Sequence, residues 1–456
     1  MEWHVTVEHQ VEAIRDHLNT QPRSEAELQQ LARLAVDVPT QELVYLTRAV
    51  PGAQAAILYR VLDRDVALAV FEDLDPGDQA DLITALRGTD IADIIIELDP
   101  DDRAQLFDQL PAVVADRLMQ GLDPDERRMT TAVLGYPRDS IGRYMSPEVL
   151  TIQQTLTVGE ALERVQSRID KVETIYLLPV VDGFRKLQGV VGLRRLLATD
   201  RGATVGSIMR DASSASAVAP REEVARDFIA QKLLAMPIVD NEERVVGILT
   251  YDDAVAIIEE EDAEDAARSG GSEVFAGSYL GAPIWRLVRS RIVWLLVLGI
   301  SAILTVQVLE LYESRLEQVV VLALFIPLLT GTGGNTGNQA ATTVTRALAL
   351  GEVRVRDLPK VLWRELRIGF LLGSVLGTIG FALASLVYGL PIGIVIGVTL
   401  LSICTMAAVV GGLMPLVAKR VGADPAVFSN PFISTFVDAT GLIIYFTVAT
   451  LVLGLS

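Results

Sequence analysis

The chain has 456 residues, 39 Lys+Arg against 58 Asp+Glu, a net charge of −19, and half of its residues are apolar. That length exceeds one ordinary core, and the acidic balance excludes a nucleic-acid groove, which needs clustered Lys and Arg. With His only at His4, His9 and His17, and Cys404 alone of its kind, an intrachain disulfide, a CxxC metal site and any His-based centre beyond the N-terminus are excluded.

The charge is unevenly spread. Residues 284–456 hold eight acids and twelve bases, net +4; subtracting these from the totals leaves 50 acids and 27 bases in residues 1–283, net −23. A strongly acidic part is joined to a slightly basic, very apolar one.

The first twenty residues are amphipathic and charged, unlike a secretory leader. Leu-Asp-Pro then recurs from Leu74, Leu98 and Leu122, a period of 24, with Leu62, Leu86 and Leu110 at the half-period. Asp followed by Pro at the first helical position is a helix start, with Asp able to cap. Each unit predicts a pair of short helices, so residues 1–138 are expected to form an all-α superhelical N-terminal domain.

A second repeat occupies residues 139–258. Leu178-Pro179-Val180-Val181-Asp182 returns as Met236-Pro237-Ile238-Val239-Asp240, and Gly189-Val190-Val191 as Gly247-Ile248-Leu249, both 58 residues later. Met145-Ser146-Pro147 is echoed by Met209-Arg210-Asp211. Each copy reads as helix, apolar strand, turn, apolar strand, helix. The pattern resembles a tandem pair of cystathionine-β-synthase (CBS) domains, α/β modules that pack together. The resemblance implies a site for ATP or another adenine nucleotide where a strand runs into Thr/Ser-x-x-Asp. The second copy keeps Thr250 and Asp253 there; the first has Gly192 and Arg195. The alternative is that Thr250 caps the helix that follows.

Residues 259–283 form an acidic connection. Glu259, Glu260, Glu261, Asp262, Glu264 and Asp265 put six acids in seven positions on a helix leading to the apolar part. Like charges at helical spacing repel. A divalent cation is their natural counter-charge, and oxygen ligands without His or Cys point to Mg²⁺ or Ca²⁺.

Residues 284–456 contain five apolar stretches, at 292–309, 319–350, 368–390, 392–417 and 432–455. Crossing ~30 Å of hydrocarbon takes roughly 20 helical residues, so five transmembrane helices are expected in the lipid bilayer. Arg286, Arg289 and Arg291 precede the first span, Arg354 to Arg367 separate the second and third, and Lys419 and Arg420 follow the fourth. Bases on that side predict a cytoplasmic N-terminus and an outside C-terminus in the plasma (inner) membrane. The second span carries Gly-Thr-Gly-Gly-Asn-Thr-Gly-Asn-Gln, with Asn335, Asn338 and Gln339. Such residues at membrane depth either line a cavity or pack tightly against protein. Asp438 is the only charge in the fifth span, and an intramembrane acid is functional by default. Asp424, before Pro425, is either a helix cap or a pore-entrance residue.

Helical repeats, two CBS modules, an acidic helix and five spans, with GTGGNTGNQ in the second and PFxxTxxDxTG in the fifth, resemble the MgtE family of Mg²⁺ channels over essentially the whole chain. The family implies a homodimer with a pore between the two membrane halves, several Mg²⁺ per chain in a cytoplasmic sensor, and a connecting "plug" helix that closes the pore when Mg²⁺ is abundant. By this resemblance Asp438 is the pore carboxylate, Asn335 and Asn338 help shape the pore, and Asp424 stands near its inner end. Asp101, Glu222, Asp253, Glu261, Glu264 and Asp265 match positions used for regulatory Mg²⁺. The sequence departs from the family at Lys232 and Ala256, where relatives can carry Asp. Nothing in it suggests an enzyme. The rival reading is a secondary transporter driven by H⁺ or Na⁺, for which no second intramembrane acid is evident.

Overall fold

A computed structural model describes residues 2–20, 25–36, 38–86, 95–273, 279–349, 351–422 and 430–455. They form two compact units, one of residues 1–261 with 275–283, the other of residues 262–274 with 284–456.

The first unit begins with short helices, and Pro76, Pro100 and Pro124 each occupy a first helical position, as the repeat predicts. Only Asp123 caps with its side chain, accepting from the Asp125 and Glu126 N–H groups at 2.9 and 3.0 Å. Asp75 pairs instead with Arg48 at 3.2 Å. Leu62, Leu86 and Leu110 end helices in extended conformation. That breaks each helix and turns its leucine toward a core shared with Leu43, Leu46, Leu58, Phe71 and Leu82. Truncating a side chain as buried as Phe71 costs about 3–5 kcal/mol. Arg103 is fully buried in the array. Its guanidinium donates to Glu126 at 2.7 Å, to Thr130 at 3.1 Å and to the Leu98 carbonyl.

The duplicated modules are two three-stranded sheets. β1 (Ile152–Gln153) runs parallel to β2 (Leu177–Val181), which pairs antiparallel with β3 (Leu187–Gly192). β4 (Ala215–Ser216), β5 (Ala235–Val239) and β6 (Val245–Thr250) repeat this order. Leu177 faces Gly192 and Ala235 faces Thr250, and a register shift falls at Val180/Val181 and again at Ile238/Val239. The 58-residue offset therefore holds residue by residue from β2–β3 to β5–β6.

The copies also exchange segments. Ser146, before the first sheet, bridges Ile248 of the second, while Arg210, before the second, bridges Val190 of the first. Glycine is required at both crossings: a Cβ on Gly189 would lie 2.6 Å from the Arg210 carbonyl oxygen, and one on Gly247 2.6 Å from Met145 Sδ. Arg143 ties the modules to the helical array through both oxygens of Asp108, at 2.8 and 2.7 Å. A helix over Tyr251–Ser269 then leaves the first unit for the second.

The second unit has five helices long and apolar enough to cross a membrane, Ile284–Leu311, Ile326–Ala349, Leu358–Tyr388, Leu390–Arg420 and Asn430–Leu453, here called the first to fifth spans. Small residues set their spacing. A Cβ on Gly373 of the third span would lie 2.8 Å from the Leu401 backbone of the fourth, and one on Gly377 2.6 Å from the Gly397 carbonyl oxygen. Glycines of the second span serve the same purpose. A Cβ on Gly333 would lie 2.5 Å from Ile403, and one on Gly337 2.7 Å from Ile433.

Candidate functional site

The second span divides its polar motif between two faces. Gly333, Gly334, Gly337, Ala340 and Ala341 are buried. Asn335, Asn338, Gln339, Thr342 and Thr343 recur at spacings of three and four and line one open groove. Lipid offers such groups no hydrogen bonds, so this face meets water or protein. The Asn338 carboxamide donates from Nδ2 to Ser434 Oγ of the fifth span at 3.2 Å. Its Oδ1 is buried and finds no donor among the described residues. Asp438 stands one helical turn from Ser434. Amide and hydroxyl are thus joined on the helix face that also carries the carboxylate's position.

Sequence reasoning missed Ser434, which nothing in its surroundings marks. A second acid is carried by one of the span helices, near its start. Glu365 is buried within the third span, beside Gly412 of the fourth. Hydropathy hid it because Arg364 and Arg367 flank it. It does not line the groove. Asp424 lies outside the described residues.

A second cluster joins the helical array to the CBS modules. Asp101 is 3% exposed, and its Oδ1 has no hydrogen-bond partner. Burial, then the charges of Asp253, Asp102 and Glu173, hold its carboxyl well above the usual carboxylate range. Burial and the charge of Asp253 push Asp102 up to about 7. Burial, with Asp99 and Asp253, pushes Glu173 up to about 8. Asp253 is pushed up to about 6, burial outweighing a hydrogen bond from the Thr250 hydroxyl. Burial also raises Asp99 and Glu148, and Arg103 opposes the rise in both. The fold thus brings Asp101 and Asp253 into electrostatic reach, and adds Asp102, Glu148 and Glu173, which sequence reasoning passed over.

Among the described residues no group of three or more His, Cys, Asp or Glu side chains is gathered as a complete metal-ligand set. Mg²⁺ fits even so. It keeps several of its waters and needs only one or two carboxylates directly, and Asp101 Oδ1 is a buried acceptor left without a donor.

Three of the other predicted sensor residues have arginine partners. Arg221 donates to Glu261 and Glu260 at 2.6 Å each, with its guanidinium 4.8 Å from the centre of the Tyr144 ring. Glu222 pairs with Arg226 at 2.8 Å and Glu264 with Arg268. Asp265 is not free either.

Thr250 and Asp253 therefore sit in a buried acidic cluster. In the first CBS copy, 58 residues earlier, Gly192 and Arg195 take their places and Arg194 that of Asp252. There the structure has an open cavity of ≈ 790 Å³, lined by Tyr176, Arg194, Asp211, Lys232 and Leu234 among others. The duplication has produced one cluster rich in acids and one open cavity that carries bases. Lys232 belongs to the basic one.

Three protein families match the chain. A family described as "MgtE intracellular N domain" matches residues 38–139, the CBS domain matches 141–202 and 205–260, and a "Divalent cation transporter" family matches 326–448. The chain is 38% identical over 331 residues to the magnesium transporter MgtE of Thermus thermophilus, covering 72% of this chain and 73% of that one. It is 32% identical over 321 residues to the corresponding transporter of Enterococcus faecalis, covering 70% of each. Among solved structures it is similar to the cytosolic domain of the Mg²⁺ channel MgtE in complex with ATP, at 30% identity and a TM-score of 0.47, covering 50% of this chain and 94% of that one.

Proposed function

The chain belongs to the MgtE family of magnesium transporters, and on that premise we propose that two copies form a Mg²⁺ channel of the plasma membrane that cytoplasmic Mg²⁺ closes. The observation that carries this reading is the bare polar stripe of the second span, joined through Asn338 and Ser434 to the turn bearing Asp438. Hydrated Mg²⁺ needs acceptors for its water shell more than it needs direct ligands. Amide oxygens and hydroxyls supply them. One Asp438 from each copy balances a single ion, strong enough to attract it and weak enough to release it.

Four segments divide the work: a helical domain over 1–138, CBS modules over 139–258, an acidic link over 259–283 and the pore domain over 284–456. The N-terminus faces the cytoplasm and the C-terminus the outside. Asp101 and Asp253 are the principal sensor ligands, with Asp102 and Glu173 contributing through water. Metal bound there offsets the repulsion between the helical array and the second CBS copy. Glu222, Glu261 and Glu264 take part when Mg²⁺ displaces their arginines, Asp265 takes part beside them, and Asp424 serves the inner mouth. Each ion shifts the equilibrium only by its preference for the closed form, so several weak sites act together.

Patch-clamp recording with stepped cytoplasmic Mg²⁺ tests the gating; current indifferent to the step refutes it. Asp438→Ala should abolish uptake in proteoliposomes while the protein still elutes as a folded dimer. Uptake driven by a pH gradient would favour a coupled transporter instead.

The basic cavity supports a further reading, that ATP or another adenine nucleotide binds there rather than at Thr250 and Asp253. Arg194 and Lys232 suit phosphates and Tyr176 suits a base, whereas the acidic cluster repels them. Lys232→Ala should weaken ATP binding about tenfold, the loss of one charge-assisted contact, and Thr250→Ala should leave it unchanged. The opposite result would return the nucleotide to the second copy.

A further inference from the structure

Lys360, Trp363, Arg364 and Arg367 lie at spacings of three and four along the start of the third span, and all four are exposed. The opposite face, with Val361, Glu365 and Gly369, is buried. Further along the exposed stripe come Phe370, Leu371 and Val375, also exposed. A stripe that turns from cationic to apolar within two turns straddles the boundary between headgroups and hydrocarbon.

Lys360 is bound to Asp357 at 2.8 Å. Arg367 lies over the Trp363 ring, 5.8 Å from its centre, and donates from Nε to the Trp363 carbonyl at 3.3 Å. Arg364 has no hydrogen bond or ion pair among the described residues. Arg364 and Arg367, three residues apart, thus share the exposed face, while Glu365, within electrostatic reach of Arg364, is buried on the other.

We infer that this face docks a phospholipid with a net negative headgroup, its phosphate between Arg364 and Arg367 and its acyl chains along Phe370, Leu371 and Val375. Forked guanidinium donors fit phosphate oxygens at two points, and an amphipathic indole such as Trp363 belongs at headgroup depth. Free phosphate shares the headgroup chemistry but has no chains to cover the apolar half of the stripe. The inference rests on the transmembrane assignment and is independent of the ion path and of gating.

The test uses the full-length protein in nanodiscs of phosphatidylcholine with or without phosphatidylglycerol. Native mass spectrometry should show phosphatidylglycerol retained in preference, and thermal unfolding should shift upward with the anionic lipid. Arg364→Gln combined with Arg367→Gln should weaken the preference roughly fivefold for each charge removed. Wild-type protein in rising salt gives a second measure that needs no variant, and its preference should decline as the charges are screened. Equal retention of the two lipids, an undiminished preference in the double variant, or a preference indifferent to salt would overturn the inference. So would full stabilisation by inorganic phosphate in phosphatidylcholine alone.

Discussion

The Asn338 carboxamide of the second span is held by the Ser434 hydroxyl of the fifth, 3.2 Å from its nitrogen. The bond fixes which way the amide oxygen faces, and Ser434 itself stands one turn from Asp438. Ser434→Ala leaves the amide free to rotate, a loss of about 0.5–1.5 kcal/mol. Mg²⁺ flux in proteoliposomes should fall two- to tenfold with no change in elution volume. Wild-type flux from this variant would make the bond incidental.

The acidic cluster predicts a pH dependence for metal-free protein. Asp253, Asp102 and Glu173 are pushed to about 6, 7 and 8, above the values they take in an unfolded chain. Between those limits the native state binds more protons than the unfolded one, so stability is greatest in acid and declines as pH rises through the folded values. In EDTA, the melting temperature of the full-length protein should drop from about pH 5 to about pH 8. Added Mg²⁺ should restore most at the alkaline end, where it no longer competes with protons. A melting temperature that climbs with pH in EDTA would contradict the cluster.

Arg221 neutralises Glu260 and Glu261 and is itself only slightly exposed. Arg221→Ala leaves two carboxylates on the linking helix without their cation. Because Glu260 is half exposed, a loss of about 2–3 kcal/mol is expected, the low end for a broken buried pair. Mg²⁺ should recover more stability in this variant than in wild type, measured by thermal unfolding with and without the ion. Equal recovery in both would mean that metal does not reach these acids.

Gly373 and Leu401 set the distance between the third and fourth spans. A Cβ there meets backbone, which cannot swing away as a side chain can. Gly373→Val should cost about 1–3 kcal/mol through overpacking and lower the yield of folded protein in detergent. Unchanged yield and melting temperature would show that the two spans have room to part.

What the sequence disclosed follows from how local each signal was. Asp-Pro announces a helix start wherever it falls, so the 24-residue period was legible, although of Asp75, Asp99 and Asp123 only the last caps with its side chain. The 58-residue duplication was legible because apolar strands repeat in order. Glu173 was not, since it lies between a short 3₁₀ turn and β2, where no period points to it, and long-range folding brings it to Asp99 and Asp253. In the second span, packing glycines and polar stripe residues alternate along one helix, so only the third dimension assigns Gly337 to a neighbouring helix and Asn338 to the groove.

The segments that the two CBS copies exchange have a consequence for how the pair opens. Ser146 completes the edge of the second sheet and Arg210 that of the first, so unravelling either copy strips hydrogen bonds from its twin. The pair is therefore one cooperative unfolding unit, and its amides should exchange with deuterium at a common free energy. Metal bound beside Asp253 should then slow exchange around Arg194 and Lys232 as well.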